Sequence, residues 1–186
     1  MEQTQNFPLI KEPSLEVLLE VVKEMQPNNI LEIGTCIGFS GTMMLKECSA
    51  HLTTIEIDKS RADMAEQNFK KAGVFSRVTQ IVGDASAEIL NLKTKYDLIF
   101  LDGPKGQYIK QLPTLLDLLE DGGVLFADNV LFRGYVLGDV EVPRRFRTIA
   151  KRLNEFIESC KTNKEFERVE IKSIGDGVLI ATKKRG

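Results

Sequence analysis

Short apolar runs, each followed by a segment of helical periodicity, constrain the fold of this chain more than any other feature of its sequence. Such runs are typical of buried strands, and here they are Asn29 to Ile33, Leu52 to Ile57, Arg77 to Val82, Tyr96 to Leu101 and Val124 to Ala127. Strands that are separated by helices pair in parallel and are covered by helices on both faces. The pattern therefore predicts a doubly wound α/β sandwich with a mostly parallel sheet.

Capping and turn residues predict where the helices and the last strands lie. The helices are expected at 13–26, 39–48, 58–73, 85–90, 107–119 and from Pro143 onward. Near the end of the chain, Asp176-Gly177 between the apolar runs 166–174 and 178–183 predicts a hairpin. The last strand is therefore expected to be antiparallel to its partner. Residues 130–142 show no period and are interpreted as a loop.

Size, charge and cysteine usage limit the class of protein. With 186 residues the chain is expected to be one domain, 1–186, and a net charge of −2 argues against a wholly basic nucleic-acid-coating protein. The first six residues carry no basic or apolar signal region, and no apolar stretch approaches the ~20 residues of a membrane span. We therefore expect a cytoplasmic protein with no membrane partner. The spacing of Cys36, Cys48 and Cys160 argues against zinc and disulfides, and the single histidine, His51, is expected at the surface.

Two acidic strings end the fourth and fifth apolar runs. Asp102 is followed three positions later by Lys105, and Asp128-Asn129 ends the fifth run. Because the carboxyl ends of parallel strands open at one edge of a sheet, the two strings are expected to converge there. Two carboxylates and an amide oxygen form a hard-oxygen site suited to Mg²⁺ or Ca²⁺, and Lys105 adds a proton acceptor. The structural alternative is a turn at Asp102, a loop start at Asp128 and a solvated lysine.

A glycine-rich loop after the first run indicates a cofactor site. Its glycines stand at 34, 38 and 41, so the dinucleotide fingerprint G-x-G-x-x-G is absent, and with it the pyrophosphate that this fingerprint binds. Glu56 ends the second run, where an acid accepts hydrogen bonds from ribose hydroxyls, and Asp84 follows the third, where it would contact an adenine amino group. A ribose site without a pyrophosphate site favours S-adenosylmethionine over NAD. Taken singly, Glu56 could be a surface charge and Asp84 a helix cap.

These strings together resemble the motifs of a known family. Residues 30–41 (ILEIGTCIGFSG) and 54–58 (TIEID) look like a class I methyltransferase. The strings LDGPK and ADNV narrow the resemblance to the cation-dependent, catechol O-methyltransferase-like group, which implies a Rossmann-like sandwich with seven strands. Within that group, residues 128–134 (DNVLFRG) and the arginine-rich segment after Pro143 look most like bacterial tRNA 5-hydroxyuridine methyltransferases.

The resemblance implies roles for individual residues. It makes Asp102, Asp128 and Asn129 ligands of a divalent cation, with Mg²⁺ first and Mn²⁺ or Ca²⁺ as alternatives. Lys105 would be the general base, and Asp102 is counted with it as catalytic. The cofactor contacts that it implies are Glu32, Gly34, Ser40, Glu56, Asp84, Ala85 and Asp102. Members of the group carry further helices ahead of the segment that matches residues 7–12, and a homodimer is left open.

The segment after Pro143 bears on the substrate. Five basic residues and no acid occur between positions 144 and 152. Arginine clusters bind RNA phosphates, and aromatic residues nearby could stack on a splayed base. We therefore expect O-methylation of 5-hydroxyuridine, which the resemblance places at the tRNA wobble position. The predicted substrate contacts are Tyr108, Arg133, Arg144 and Arg145. The alternatives are a catechol or other vicinal dihydroxy small molecule, and a nucleotide-sensing domain without catalysis.

Overall fold

Seven strands form a single sheet in the computed structural model, which describes residues 7–138 and 140–186. The strands are β1 (Asn29–Ile33), β2 (His51–Glu56), β3 (Val78–Val82), β4 (Tyr96–Leu101), β5 (Leu119–Asp128), β6 (Phe166–Lys172) and β7 (Val178–Lys183). They lie in the order β3-β2-β1-β4-β5-β7-β6. The first five pair in parallel, and β7 runs antiparallel to both β5 and β6. The mostly parallel seven-stranded sheet with a C-terminal antiparallel hairpin is thus confirmed.

Six helices cover the two faces of this sheet. They are α1 (Glu12–Met25), α2 (Phe39–Glu47), α3 (Lys59–Lys71), α4 (Ala85–Glu88), α5 (Tyr108–Leu118) and α6 (Arg147–Thr162). Because side chains alternate along a strand, Ile30 of β1 packs with the α1–α3 core while Leu31 packs with the core beneath α5 and α6. The doubly wound sandwich is therefore confirmed. No helix within the described ranges is long and apolar enough to cross a bilayer.

Local signals gave most helix ends correctly. The Asp58 side chain accepts a hydrogen bond from the Arg61 backbone at the start of α3, and Gly73 follows its end with φ +73°. The expected helix at Pro143 is wrong in its start, because residues Arg144–Phe146 form a 3-10 turn and α6 begins only at Arg147. The first six residues, where we expect no secretory signal, lie outside the described residues, as does position 139 of the predicted loop.

Two strand ends differ from the sequence prediction for reasons of pairing. The predicted start of β5 at Val124 is wrong, because Leu119 already pairs with Tyr96 and a register shift separates this pair from the Leu98–Val124 pair. The hairpin connection is longer than the predicted Asp-Gly turn, since β6 ends at Lys172 and β7 begins at Val178. In both places the neighbouring strand decides the boundary.

The isolated residues have the environments that we expected. His51 is exposed, and its ring nitrogen Nε2 lies 2.8 Å from the Thr79 hydroxyl. The three cysteines are free thiols, with Cys160 buried and the other two half-buried. No disulfide joins them within the described residues.

Hydrogen bonds and an ion pair join three chain segments beyond the carboxyl ends of the central strands. The Asp176 carbonyl in the β6–β7 connection accepts hydrogen bonds from the backbone of Leu131 and Phe132, at 2.9 and 3.2 Å. Its side chain pairs with Lys11 Nζ at 2.7 Å. The segment before α1, the loop after β5 and the hairpin connection therefore wall one side of this edge of the sheet.

Gly34 permits the closest approach between two strand ends. Its φ is +103°, and a β-carbon there would lie 2.6 Å from the Asp102 carbonyl oxygen. The Asp102 amide in turn donates to the Ile33 carbonyl at 2.9 Å. Only glycine fits both the backbone angle and the space, so the glycine loop and the first acidic string are held in direct contact.

We predict that Gly34→Ala destabilises the protein far more than Gly73→Ala. Both positions have positive φ, but a β-carbon at Gly73 meets no atom within 4 Å. Gly73→Ala should therefore cost only the backbone strain of about 1 kcal/mol. Gly34→Ala adds a clash with main chain, for a total of at least about 3 kcal/mol. Urea unfolding of the two variants measures the difference, and equal losses would contradict the close approach.

Candidate active site

A cavity of about 550 Å³ opens at the carboxyl edge of the sheet, beside the three joined segments. Its volume lies within the range of small-molecule and cofactor sites. Among the residues singled out in the sequence, those that line it are Gly34, Cys36, Glu56, Asp84, Ala85, Asp102, Lys105, Asn129 and Arg133. The glycine loop, the three acidic strand ends and the second metal string are therefore brought to one place.

Glu56 organises the cofactor side of this cavity. Its carboxylate accepts the Cys36 backbone N–H at 2.8 Å and the Asp58 backbone N–H at 2.9 Å. The Arg61 guanidinium donates to the same carboxylate at 2.7 Å. Cys36 has φ +50°, so the loop turns sharply to bring this N–H to Glu56. Arg61, which was not singled out in the sequence, also lines the cavity. Its place in the first turn of α3, close after Glu56, is the feature that could have predicted this contact.

Asp84 lies at the cavity and also caps α4. Its side chain accepts the Ser86 backbone N–H at 2.7 Å, as the structural alternative expected. The carboxylate nevertheless lines the cavity next to Ala85. The capping role and a contact with an adenine amino group are compatible, because one carboxylate has several acceptor positions.

Glu32 and Ser40 lie beneath the glycine loop rather than at the cavity surface. The Glu32 carboxylate is completely buried and accepts hydrogen bonds from the Ser40 hydroxyl at 2.5 Å and the Thr54 hydroxyl at 2.6 Å. The Thr54 hydroxyl also lies 2.6 Å from that of Thr35. Burial raises the pKa of Glu32 to about 7, against the lowering effect of the two hydroxyls. The network ties the loop to β1 and β2, and a direct cofactor contact by either residue stays a prediction.

The two acidic strings converge as the sequence indicated. Lys105 Nζ lies 3.7 Å from Asp102 Oδ1, and both side chains are mostly buried. Burial raises the pKa of Asp102 to about 7, with a further increase from the charge of Asp128 and a decrease from Lys105. Asp128 is fully buried directly behind the cavity wall, and burial raises its pKa too. Asn129, with φ +58°, lines the cavity beside them.

The donor set fits a hard divalent cation. Asp128 Oδ1 accepts the Asn129 backbone N–H at 2.8 Å, whereas the buried Oδ2 makes no hydrogen bond of ordinary geometry, although the equally buried Ser14 hydroxyl lies near enough to lower the pKa of this carboxyl. An unpaired buried carboxylate oxygen is costly, and an ion would supply the missing partner. No group of three or more His, Cys, Asp and Glu side chains suited to a metal occurs in residues 7–138 and 140–186. A cation here would therefore rely on two carboxylates and the Asn129 amide, all oxygen donors.

Tyr108 does not line the cavity, so its predicted substrate contact is wrong. The residue is fully buried at the start of α5, and its ring packs edge-to-face on Phe156 with centroids 5.5 Å apart. Its hydroxyl lies 3.2 Å from the Leu101 carbonyl and 3.4 Å from those of Gly103 and Asp128. The pKa of Tyr108 is raised well above its ordinary value, first by burial and then by the charges of Asp102 and Asp128. The packing of α5 against α6 turns this side chain inward, which its sequence position does not reveal.

An aromatic and arginine cluster lies at one rim of the cavity. The rings of Phe132, Tyr135 and Phe146 contact one another with centroids 5.3 to 5.8 Å apart. The guanidinium groups of Arg133 and Arg145 lie over the Phe146 ring, at 5.7 and 4.6 Å from its centroid. Phe132 and Arg133 line the cavity, whereas Arg144 and Arg145 are exposed outside it. Of the three predicted arginine contacts, only Arg133 therefore reaches the cavity itself.

We predict that Glu32 makes stability depend on pH. Its pKa rises from 4.5 to about 7 on folding, so the folded chain binds its proton more tightly than the unfolded chain. The free energy of unfolding should therefore fall as pH rises from about 4.5 to about 7, by up to about 3 kcal/mol from this residue. The Glu32→Gln variant should lack this part of the slope, whereas Glu66→Gln, at a half-buried carboxylate paired with Lys70, should keep it. Urea unfolding across this range measures the difference, and parallel profiles for all three proteins would contradict it.

Both the sequence and the fold match known proteins. A family model described as O-methyltransferase matches residues 9–184. Catechol O-methyltransferase of Sus scrofa is 38% identical over 128 residues, covering 64% of this chain and 69% of the relative. A caffeoyl-CoA O-methyltransferase of Stellaria longipes is 28% identical over 177 residues, covering 88% and 71%. The SAH-bound structure of the Podospora anserina methyltransferase PaMTH1 has a TM-score of 0.85 at 26% identity, covering 96% of this chain and 83% of that one. The chain therefore belongs to the family of S-adenosylmethionine-dependent O-methyltransferases.

Proposed function

We propose that this protein methylates one hydroxyl of a vicinal dihydroxy aromatic small molecule in a reaction that depends on a divalent cation. The observation that carries the proposal is the buried acidic pair: Asp102 lines the cavity, Asp128 lies buried close enough behind it for its charge to raise the pKa of Asp102, and one Asp128 oxygen has no hydrogen-bond partner. Two carboxylates with raised pKa values in a low-dielectric site are poised to bind a cation. The names of the catechol and caffeoyl-CoA relatives support this substrate class over RNA.

The cofactor side of the cavity suits S-adenosylmethionine. Glu56 offers its carboxylate toward a ribose, and Asp84 and Ala85 line the wall at the next strand end. The glycine loop leaves no pyrophosphate site, which agrees with a cofactor that contains no phosphate. The SAH bound to PaMTH1, which has the same fold, supports this assignment.

The chain's own residues would position the hydroxyl and remove its proton. Asp102, Asp128 and Asn129 would hold the cation, which favours ionisation of a nearby hydroxyl, while S-adenosylmethionine supplies an electrophilic methyl group. Lys105 is mostly buried at the cavity, 3.7 Å from Asp102, where its side chain is placed to act as the general base for the hydroxyl proton. Binding of both reactants in one cavity would fix them in one orientation. Two adjacent substrate oxygens fit such a site better than one, because both can face the cation.

We predict that Asp128→Asn and Lys105→Gln each lower kcat/KM for a catechol by about 10²-fold or more. Asp128→Asn should also raise the cation concentration needed for activity, since it removes a charged ligand. The matched control is Lys110→Gln, which changes an exposed lysine on α5 and should leave the rate unchanged. Methylation assays with Mg²⁺, with Mn²⁺ and with excess chelator measure these effects. Full activity of the unaltered protein in chelator would overturn the metal-dependent mechanism.

Methylation of 5-hydroxyuridine in tRNA is the second candidate, and the arginine and aromatic cluster favours it. Arg133 and Phe132 reach the cavity, and Arg144, Arg145 and Arg147 continue the positive charge over the exposed surface next to it. Arginines bind phosphates in pairs of hydrogen bonds, and exposed rings can stack on an unpaired base. A 5-hydroxyuracil also presents two adjacent oxygens, so it would use the same acidic pair.

We predict that a double variant, Arg144→Ala with Arg145→Ala, separates these two candidates. If the substrate is a small catechol, the variant should keep its kcat/KM within about twofold, because neither side chain lines the cavity. If the substrate is tRNA, methylation should fall about tenfold or more, and the rate on tRNA should fall steeply with salt. Assays with both substrates, together with mass spectrometry of tRNA nucleosides from cells with and without the gene, decide between them.

A further inference from the structure

The Tyr108 hydroxyl contacts the backbone of both acidic strings. It lies 3.2 Å from the carbonyl oxygen of Leu101, the residue before Asp102, and 3.4 Å from that of Gly103, the residue after it. The carbonyl oxygen of Asp128 is also 3.4 Å away. The three oxygens therefore surround the hydroxyl from two different strand ends.

These contacts occur where the pairing between β4 and β5 stops. The last parallel partners of β4 and β5 are Leu101 and Ala127, so Asp102 and Asp128 are the first residues beyond that ladder. Past this point Asp102 is held by β1 and Asp128 by β7, so each acid is tied to a different neighbouring strand. All three carbonyl oxygens accept and the hydroxyl has one proton, so the Tyr108 O–H is shared among acceptors from both sides and links them.

The ring of Tyr108 is held firmly enough to act as such an anchor. It is completely buried, and it packs edge-to-face on Phe156 of α6 at 5.5 Å. Neighbouring core residues, including Leu112 and Leu153, are buried in the same cluster. Because the side chain does not line the cavity, it cannot touch a substrate or cofactor there.

We propose that Tyr108 is a positioning residue whose hydroxyl sets the spacing of Asp102 and Asp128 for cation binding. The role rests on the proposed function, because it presumes that these two carboxylates hold a cation. The hydroxyl acts through backbone carbonyls, so its removal leaves every ligand side chain in place. What changes is the geometry in which the two carboxylates meet the ion. Groups that orient ligands in this way typically alter metal affinity by 10- to 100-fold, and here we expect about tenfold.

The test compares Tyr108→Phe with Tyr96→Phe. Tyr96 is equally suited as a control because it is 2% exposed in the same core, but it lies at the opposite, amino end of β4. Mn²⁺ affinity is measured by electron paramagnetic resonance, S-adenosylmethionine affinity by calorimetry, and stability by thermal unfolding. Tyr108→Phe should bind Mn²⁺ about tenfold more weakly, with S-adenosylmethionine affinity within about twofold of the unaltered protein. Its rate on a catechol should recover when Mg²⁺ is raised, whereas Tyr96→Phe should leave all of these unchanged.

A further variant separates the hydroxyl from the packing of the ring. Phe156→Leu removes the edge-to-face contact but keeps the Tyr108 hydroxyl, so Mn²⁺ affinity should stay within about twofold even if stability falls. A loss in Phe156→Leu as large as that in Tyr108→Phe would overturn the inference in favour of ring packing.

Asp128→Asn distinguishes failure of this inference from failure of the proposed function. If the unaltered protein binds Mn²⁺ and Asp128→Asn does not, the metal site stands. Equal Mn²⁺ affinity in Tyr108→Phe and Tyr96→Phe would then overturn only the role of Tyr108. If the unaltered protein binds no Mn²⁺, the proposed metal site and the role of Tyr108 are both overturned.

Discussion

The contact between the ends of β1 and β4 is the constraint on which the site depends. The Asp102 amide donates a hydrogen bond to the Ile33 carbonyl. At position 34 there is no space for a β-carbon, because the Asp102 carbonyl lies too close. This close approach places the glycine loop and the first acidic string next to each other, in direct main-chain contact. A methyl donor bound over the loop and a hydroxyl bound over the acids would therefore be neighbours, which is the arrangement that group transfer needs.

Around this contact the protein buries several carboxylates at a cost in stability. Glu32 and Asp102 have pKa values of about 7, and the pKa of Asp128 is also raised, in each case chiefly by burial. Hydroxyls satisfy Glu32, so its role is to hold the loop. Asp102 lies between the cation of Lys105 and the like charge of Asp128, and Asp128 keeps an oxygen without a hydrogen-bond partner. The less well satisfied acids are thus those proposed to hold the cation, as expected where function is favoured over stability.

Family membership and substrate depend on different parts of the molecule. The glycine loop, Glu56 and the acidic strings lie on the ends of central strands, where the sheet fixes them. The arginine and aromatic cluster lies on the loop after β5 and on the turn before α6, outside the sheet. Substrate choice in a shared fold usually resides in such peripheral segments. Family membership therefore assigns the methyl-transfer reaction, whereas the substrate is identified by direct assays.

The sequence by itself determined the features that depend on local periodicity and capping. Apolar runs located the central strands, Asp58 and Gly73 marked the ends of α3, and acids at strand ends indicated the site, because parallel strands share one carboxyl edge. Only the tertiary structure decided which side chains face the cavity. Tyr108 turns inward because α5 packs on α6, Glu32 lies below the loop because its strand is covered on both faces, and Arg61 reaches Glu56 from a neighbouring helix. The orientations of Tyr108 and Glu32 follow from packing between distant segments, which no local pattern encodes, whereas the Arg61 contact is local and follows from the start of α3.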